Sequence, residues 1–402
     1  MEAAAAKVKD LEDAERSPGL LGQVARGELG ELRVLIGLAV IWTIFQIAND
    51  RFLTSINLTN LSLQIAAVGT ISVGVVLVLL LGEIDLSVGA VSGLAAAVMA
   101  VLTVKHGWDP ALAIVAGLAV GTAIGLFNGF MVTFVGIPSF VVTLAGLLGW
   151  QGALLWVLGD TGTVNLPDSV ITDLTGTFFD PIVGWILAAA ATAGTLGAGM
   201  LTRERRDKAG LEQPPLAGLI IRTVLVGVGS FATVEIWSND RGIPLAPLIL
   251  VGFCALFAFI TQKTRFGRHI YAVGGNAEAA RRAGINVTRV RIIVFMIAST
   301  MAAAGGILAA SRLLAVNQAS GSGDLLLLAI AGPVIAGVSL FGGRGTVWAA
   351  LLGALVIGSI SNGMDLLGLE SSVKYMITGG VLLAAVTIDA LTRRQRQQAS
   401  FT

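Results

Sequence analysis

Long apolar stretches separated by short polar, glycine- or proline-bearing breaks fill most of this chain. Bounded by that punctuation, they fall at 33–49, 57–82, 86–104, 111–135, 139–158, 182–201, 219–237, 245–261, 291–310, 325–341, 346–364 and 373–391. A helix needs about 20 apolar residues to cross a bilayer. The pattern therefore predicts an all-α polytopic membrane protein with about twelve transmembrane helices. Two runs are irregular: 219–237 contains Glu235, and 325–341 is short and carries Gly332-Pro333. The second predicts a broken or re-entrant segment, which is tolerated at membrane depth only where protein or a cavity surrounds it.

Composition narrows the picture further. Of 402 residues 55% are hydrophobic and only 13% charged, with a mean hydropathy of +0.85. Soluble domains carry roughly 25% charged residues, so a soluble enzyme and a disordered chain are both excluded. The formal net charge of +1 gives no bulk attraction to nucleic acid, and none is expected as a partner. Cys254 has no second cysteine to bridge to, and His106 and His269 are far apart in a chain without C-x-x-C or H-E-x-x-H. No metal site, cofactor or catalytic residue is therefore expected.

Charge placement orders the map. Residues 1–30 form a polar arm mixing Lys7, Lys9, Arg16 and Arg26 with several acids, 31–391 form the membrane domain, and 392–402 a basic tail. The first apolar run begins near Val34, too late for a signal peptide, and reads as an uncleaved spanning helix. With the N-terminus placed in the cytoplasm, nearly all of the 26 Lys and Arg fall on that side. Only Arg51, Lys105, Arg241, Arg312 and Lys374 fall on the other. By the positive-inside rule both termini are cytoplasmic.

Three breaks stand out. The loop 262–291 carries seven basic residues, and within it Asn276 suits an N-cap, Glu278 the first turn, Arg281 and Arg282 the last, and Gly284 a left-handed stop. The result is a two-turn helix preceded by Gly274-Gly275, too short to persist without something to pack on. Glu83-Ile84-Asp85-Leu86-Ser87 falls between two long runs with no room for an ordinary loop. Asp85 is expected to cap a helix starting at Leu86, and the segment to form a broken element on a pathway. Gly342-Gly343-Arg344-Gly345 predicts a tight turn anchored at the inner surface. Small-residue stripes such as Gly117, Gly121 and Gly125 predict close helix packing.

These three breaks together resemble the permease subunits of bacterial monosaccharide ABC importers, the ribose, xylose and galactose class. The likeness runs over about 57–160 and 245–391, and the length favours the xylose type. It implies a ten-helix family core plus an extra helix pair near 182–237, in the bacterial cytoplasmic membrane. It also implies a homodimer of permease copies, a separate ATP-binding cassette subunit that binds the ATP, and an extracytoplasmic sugar-binding protein. Under it, 262–291 is the coupling loop, with Gly274, Gly275, Asn276, Glu278, Arg281, Arg282 and Gly284 meeting the ATPase. No G-x-x-x-x-G-K-[ST] phosphate loop occurs in the chain itself.

For an uncharged sugar the pathway candidates are polar or aromatic residues within the runs and the first break. They are Asn60, Gln64, Glu83, Asp85, Ser87, Asn128, Trp150, Gln151 and Asn362, with interhelical bonding and interfacial anchoring as competing roles. The rival class is a stand-alone proton-coupled transporter. Such a protein buries ionisable residues at mid-membrane, and here the central thirds of nearly all runs lack them.

Overall fold

The computed structural model describes residues 30–381 except Pro214, together with Leu383 and Thr387. All but the last residue of the polar arm 1–30, and the whole tail 392–402, lie outside the described residues. The long helices are α1 (Gly30–Ala48), α2 (Ser55–Leu80), α3 (Val88–Val104), α4 (Pro110–Phe130) and α5 (Ser139–Leu158). A short α6 (Val170–Gly176) precedes α7 (Pro181–Lys208), α8 (Leu216–Ser238) and α9 (Leu245–Lys263). Two short helices, α10 (Arg265–Gly275) and α11 (Ala277–Arg282), lead into α12 (Val287–Leu313), α13 (Asp324–Ile335) and α14 (Trp348–Leu366). A final helix opens at 371. Among the described residues eight helices are long and apolar enough to cross a membrane, and Val34–Ala48, α3 and α13 are shorter apolar helices. The chain is a multi-pass, all-α membrane protein.

The centre is α2, buried over most of its length and embraced by α12, α14 and α9, with α3 and α4 packed on the far side of α12. Close approach rests on missing side chains. A Cβ on Gly121 would meet the Ser299 carbonyl oxygen at 2.6 Å, one on Gly125 the Phe295 oxygen at 2.4 Å, and one on Gly117 the Ala95 oxygen at 2.9 Å. The glycine stripe of α4 is thus the seam against α12 and α3, as small-residue packing in lipid requires.

Loop contacts sort the breaks into two ends. At one, β1 (Thr163–Asn165) pairs antiparallel with β4 (Ala315–Asn317), and β2 (Phe178–Phe179) with β3 (Ile243–Pro244). Lys105 joins this end, donating to the Leu158 carbonyl. At the other, the breaks after α2, α9 and α13 meet one another. This grouping matches the alternation of sides derived from charge.

Two expected boundaries are corrected. The run 325–341 is helical only to Ile335: Gly337 N–H bonds to Val334 O and Val338 N–H to Pro333 O, closing the helix around left-handed Gly337. At 12 residues α13 is about 18 Å long, short of a hydrocarbon core of about 30 Å, and an irregular segment follows it. The helix after the first break starts at Val88, not at Leu86, so Asp85 does not cap it from the adjoining position. Asp85 instead accepts the Ser87 N–H at 2.8 Å in a local turn.

Candidate functional site

The breaks singled out in the sequence converge on one junction of backbone against backbone. Helix α2 stops at a left-handed Gly82, with Gly82 N–H to Leu79 O and Glu83 N–H to Val78 O. This leaves the Leu80 carbonyl pointing onward, and Gly343 N–H bonds to it at 2.9 Å. Gly274, at the end of α10, lies against the same oxygen: a Cβ there would fall 1.8 Å from it. A Cβ on Gly342 would meet the Gly274 carbonyl oxygen at 2.6 Å and Gly82 N at 2.8 Å. Gly274 and Gly342 are glycines because a Cβ on either would strike the backbone of another segment, and Gly82 and Gly343 because their backbones are left-handed at this crowded meeting of three segments. Tyr271 adds a further tie, its hydroxyl donating to Gly345 O at 2.8 Å. Burial pushes the Tyr271 phenol up, so it stays a neutral donor.

From this junction α10 and α11 project as a small platform. Ile270, Val273 and Ala280 point into the core. Asn276 caps α11, accepting the Ala279 N–H at 2.9 Å. Left-handed Gly284 ends it, with Gly284 N–H to Arg281 O and Ile285 N–H to Ala280 O. Both ends are built as the sequence predicted. Glu278, Arg281, Arg282, Gly275 and Gly284 are exposed, and Glu278 pairs with both arginines at 3.3 Å. Arg344 sits in the turn beside the junction, its carbonyl accepting the Ser339 N–H.

Residues 81–87 are held by their neighbours rather than by their own helix. The Ser139 hydroxyl oxygen accepts the Ile84 N–H at 3.4 Å, and Thr143, whose hydroxyl donates to the Ser139 carbonyl at 2.8 Å, lies 3.3 Å from the Ile84 carbonyl. Glu83 is paired with Arg291 at 2.9 Å. Ser87 donates to Asp85 Oδ1 at 2.6 Å and accepts from Asn128 Nδ2 at 3.1 Å. Irregular backbone is thereby given protein partners, with Leu81, Asp85 and Ser87 buried.

The other pathway candidates lie elsewhere. Asn362 exchanges hydrogen bonds with Asn57, at 2.8 and 3.0 Å. Asn60, near the opposite end of α2, accepts from Arg241, and Gln151 donates to the Gln318 carbonyl. Gln64 is half-buried one turn beyond Asn60. Only Glu83, Asp85, Ser87, Asn128 and Trp150 gather around the break. Sequence reasoning missed Tyr271, Ser139, Thr143 and the pairing of Glu83 with Arg291. Of these only the last had a signal, acids in one break and basic residues flanking the other.

Residues 57–386 match the family described as branched-chain amino acid transport system, permease component. The chain belongs to this permease family. It is 36% identical over 363 residues to the xylose transport system permease protein of Haemophilus influenzae, covering 90% of this chain and 96% of that one. Against the xylose transport system permease protein of Escherichia coli K12 the identity is 35%, covering 90% and 91%. The ribose import permease protein of Bacillus subtilis is 33% identical, covering 90% and 94%. No solved structure matches the chain. The permease likeness read from three short breaks thus extends over nearly the whole sequence, including the α7–α8 pair.

Proposed function

We propose that this chain is the membrane permease subunit of an ATP-driven importer for xylose or a related monosaccharide. In this reading it crosses the bacterial cytoplasmic membrane about twelve times, a ten-helix core plus the α7–α8 pair, with both termini in the cytoplasm. Two copies form the translocation pathway. A separate cassette ATPase binds and hydrolyses ATP, and an extracytoplasmic binding protein delivers the sugar. The chain itself performs no catalysis.

The observation that carries this reading is the platform α10–α11 rooted in the glycine junction. Its exposed surface is small and mixed in charge, and it stands on the backbone of α2, the most buried helix. A push on α11 from a closing ATPase reaches α2 and the segment 81–87 through contacts with no compressible side chain between them. Gly274, Gly275, Asn276, Glu278, Arg281, Arg282 and Gly284 form the coupling surface, with Gly342, Gly343 and Arg344 supporting it.

The test is reconstitution in vesicles with the cognate ATPase and binding protein. Uptake of a pentose that needs ATP and all three components is expected. Uptake by this chain alone, driven by a proton gradient, would establish the rival secondary transporter instead.

A further inference from the structure

Among the described residues, few buried polar side-chain atoms lack a hydrogen-bond partner. Three that do, Asp85 Oδ2, Asn128 Oδ1 and Trp150 Nε1, belong to side chains around one spot beside the first break. Ser87 ties two of them together. Its single proton goes to Asp85 Oδ1 at 2.6 Å, so its oxygen must accept from Asn128 Nδ2 at 3.1 Å. That fixes the amide and leaves Asn128 Oδ1 free. Trp150 comes in from α5: a Cβ on Gly146 would lie 3.0 Å from Trp150 Nε1 and 3.2 Å from Ser87 Cβ. The indole nitrogen and Ser87 therefore come close to each other across Gly146, where a Cβ would be crowded by both. Asp85 is 4% exposed and Asn128 0%, and an unmet polar atom at such depth costs about 1–3 kcal/mol.

The set consists of two acceptors and one donor. A cation would be met by the donating indole edge, and an anion by the Asp85 carboxyl. A neutral hydroxyl both accepts and donates, so it can meet the indole N–H together with one of the two acceptors. Phe127 packs edge-on against the Trp150 ring, with centroids 6.0 Å apart, and holds the indole in place. We propose that Asp85, Ser87, Asn128 and Trp150 form a hydroxyl-binding station for the sugar inside the membrane. Trp150 donates to a sugar hydroxyl there, and Asp85 or Asn128 accepts from it. This inference rests on the permease reading above.

The station is divided between moving parts. Asp85 and Ser87 lie on the segment that begins at the glycine junction, whereas Asn128 and Trp150 lie on α4 and α5. Displacement of residues 81–87 by the coupling platform separates the Asp85 acceptor from the Trp150 donor and loosens the hold on the hydroxyl.

The experiment pairs a protein donor with a substrate hydroxyl. Trp150→Phe keeps the ring and removes the N–H, and Asp85→Asn is the second variant should the first assemble poorly. Maximal ATP-driven uptake is measured in the reconstituted importer at saturating binding protein, for xylose and for each of its monodeoxy analogues. Each variant is compared with the unsubstituted chain for the same sugar, so preferences of the binding protein cancel. Xylose uptake in Trp150→Phe is expected to fall roughly ten-fold, the worth of one hydrogen bond, while for one deoxy analogue variant and parent are equal. An equal loss for xylose and every analogue would overturn the proposal, because packing around the ring or a resident water would then explain it. Absence of ATP-driven pentose uptake by the unsubstituted importer would instead sink the permease reading itself.

Discussion

Arg291 reaches Glu83 with an Nη2–Oε1 distance of 2.9 Å, joining the start of α12 to the unwound segment after α2. The two side chains are 27% and 14% exposed, so the pair is largely desolvated. Removing one partner leaves the other charge under-solvated. Glu83→Gln and Arg291→Met are each expected to lower stability by about 1–3 kcal/mol, discounted for the remaining exposure. The double variant is expected to lose less than the two singles together. A thermal-unfolding double-mutant cycle in detergent or nanodiscs measures the coupling. Additive losses would mean that the pair contributes nothing.

Adjacent glycines at the end of α10 should behave in opposite ways. A Cβ on Gly274 would collide with the Leu80 carbonyl, and backbone cannot yield as a flexible side chain can. Gly274→Ala is therefore expected to cost about 1–3 kcal/mol or more and to reduce the yield of folded protein, read by size-exclusion chromatography. A Cβ on Gly275 would meet nothing within 4 Å. Gly275→Ala is expected to fold normally.

The platform surface separates folding from coupling. Glu278 pairs with Arg281 and Arg282 on an exposed surface, and such pairs contribute at most about 1 kcal/mol. Glu278→Lys and Gly275→Trp are accordingly expected to insert and fold. In the assembled importer they are expected to lower uptake more than ATP hydrolysis, so that fewer sugars move per ATP. Unchanged stoichiometry would remove the coupling role from α11.

How much of this was legible in the sequence depends on what each feature needs. The caps of α11 were readable because Asn276 and Gly284 act on backbone a few residues away, within one local stretch. The grouping of breaks at two ends was readable from Lys and Arg placement, which responds to sidedness alone. The glycine junction was not. Gly343 reads as part of a local turn and Gly274 as the approach to a short helix, and only the folded chain shows them meeting each other and the end of α2. The same holds for the pathway candidates. Asn57 with Asn362, and Asn128 with Ser87, are pairings across more than 40 residues that no spacing encodes. The expected helix start at Leu86 was placed too early because Asp85 was assigned a cap, whereas its carboxyl is used in a turn with Ser87.

The reciprocal amide pair tests how much polar glue holds α2 to α14. Asn57 and Asn362 each donate to the other across the helix interface. Asn362→Leu is expected to destabilise by roughly 0.6–1.7 kcal/mol, the range for interhelical hydrogen bonds in membranes. Adding Asn57→Leu should recover part of that loss, since both unmet amides are then gone. Thermal stability of the single and double variants decides it.

The α7–α8 pair is the part of the described structure most readily separated from the rest. These helices pack mainly on each other, and little of their surface is buried in the rest of the chain. Their attachment is at one end: Trp237 donates to Ser62 at 3.2 Å, Arg241 donates to Asn60 at 3.0 Å, and the Arg241 guanidinium lies 4.4 Å from the Phe178 ring centre. The chain leaves and returns through paired strands, with Phe179 opposite Ile243, so the two ends of the pair are already side by side. Excising 182–240 and bridging the gap with a short Gly-Ser linker therefore leaves the path of the remaining chain unchanged. None of the glycine junction, the platform α10–α11 or the segment 81–87 lies in the excised region. The shortened chain is expected to insert, to assemble with its ATPase and to retain ATP-driven uptake, with a lower thermal stability from the lost contacts along α2. Loss of uptake in a chain that still inserts and hydrolyses ATP would show that the pair takes part in translocation.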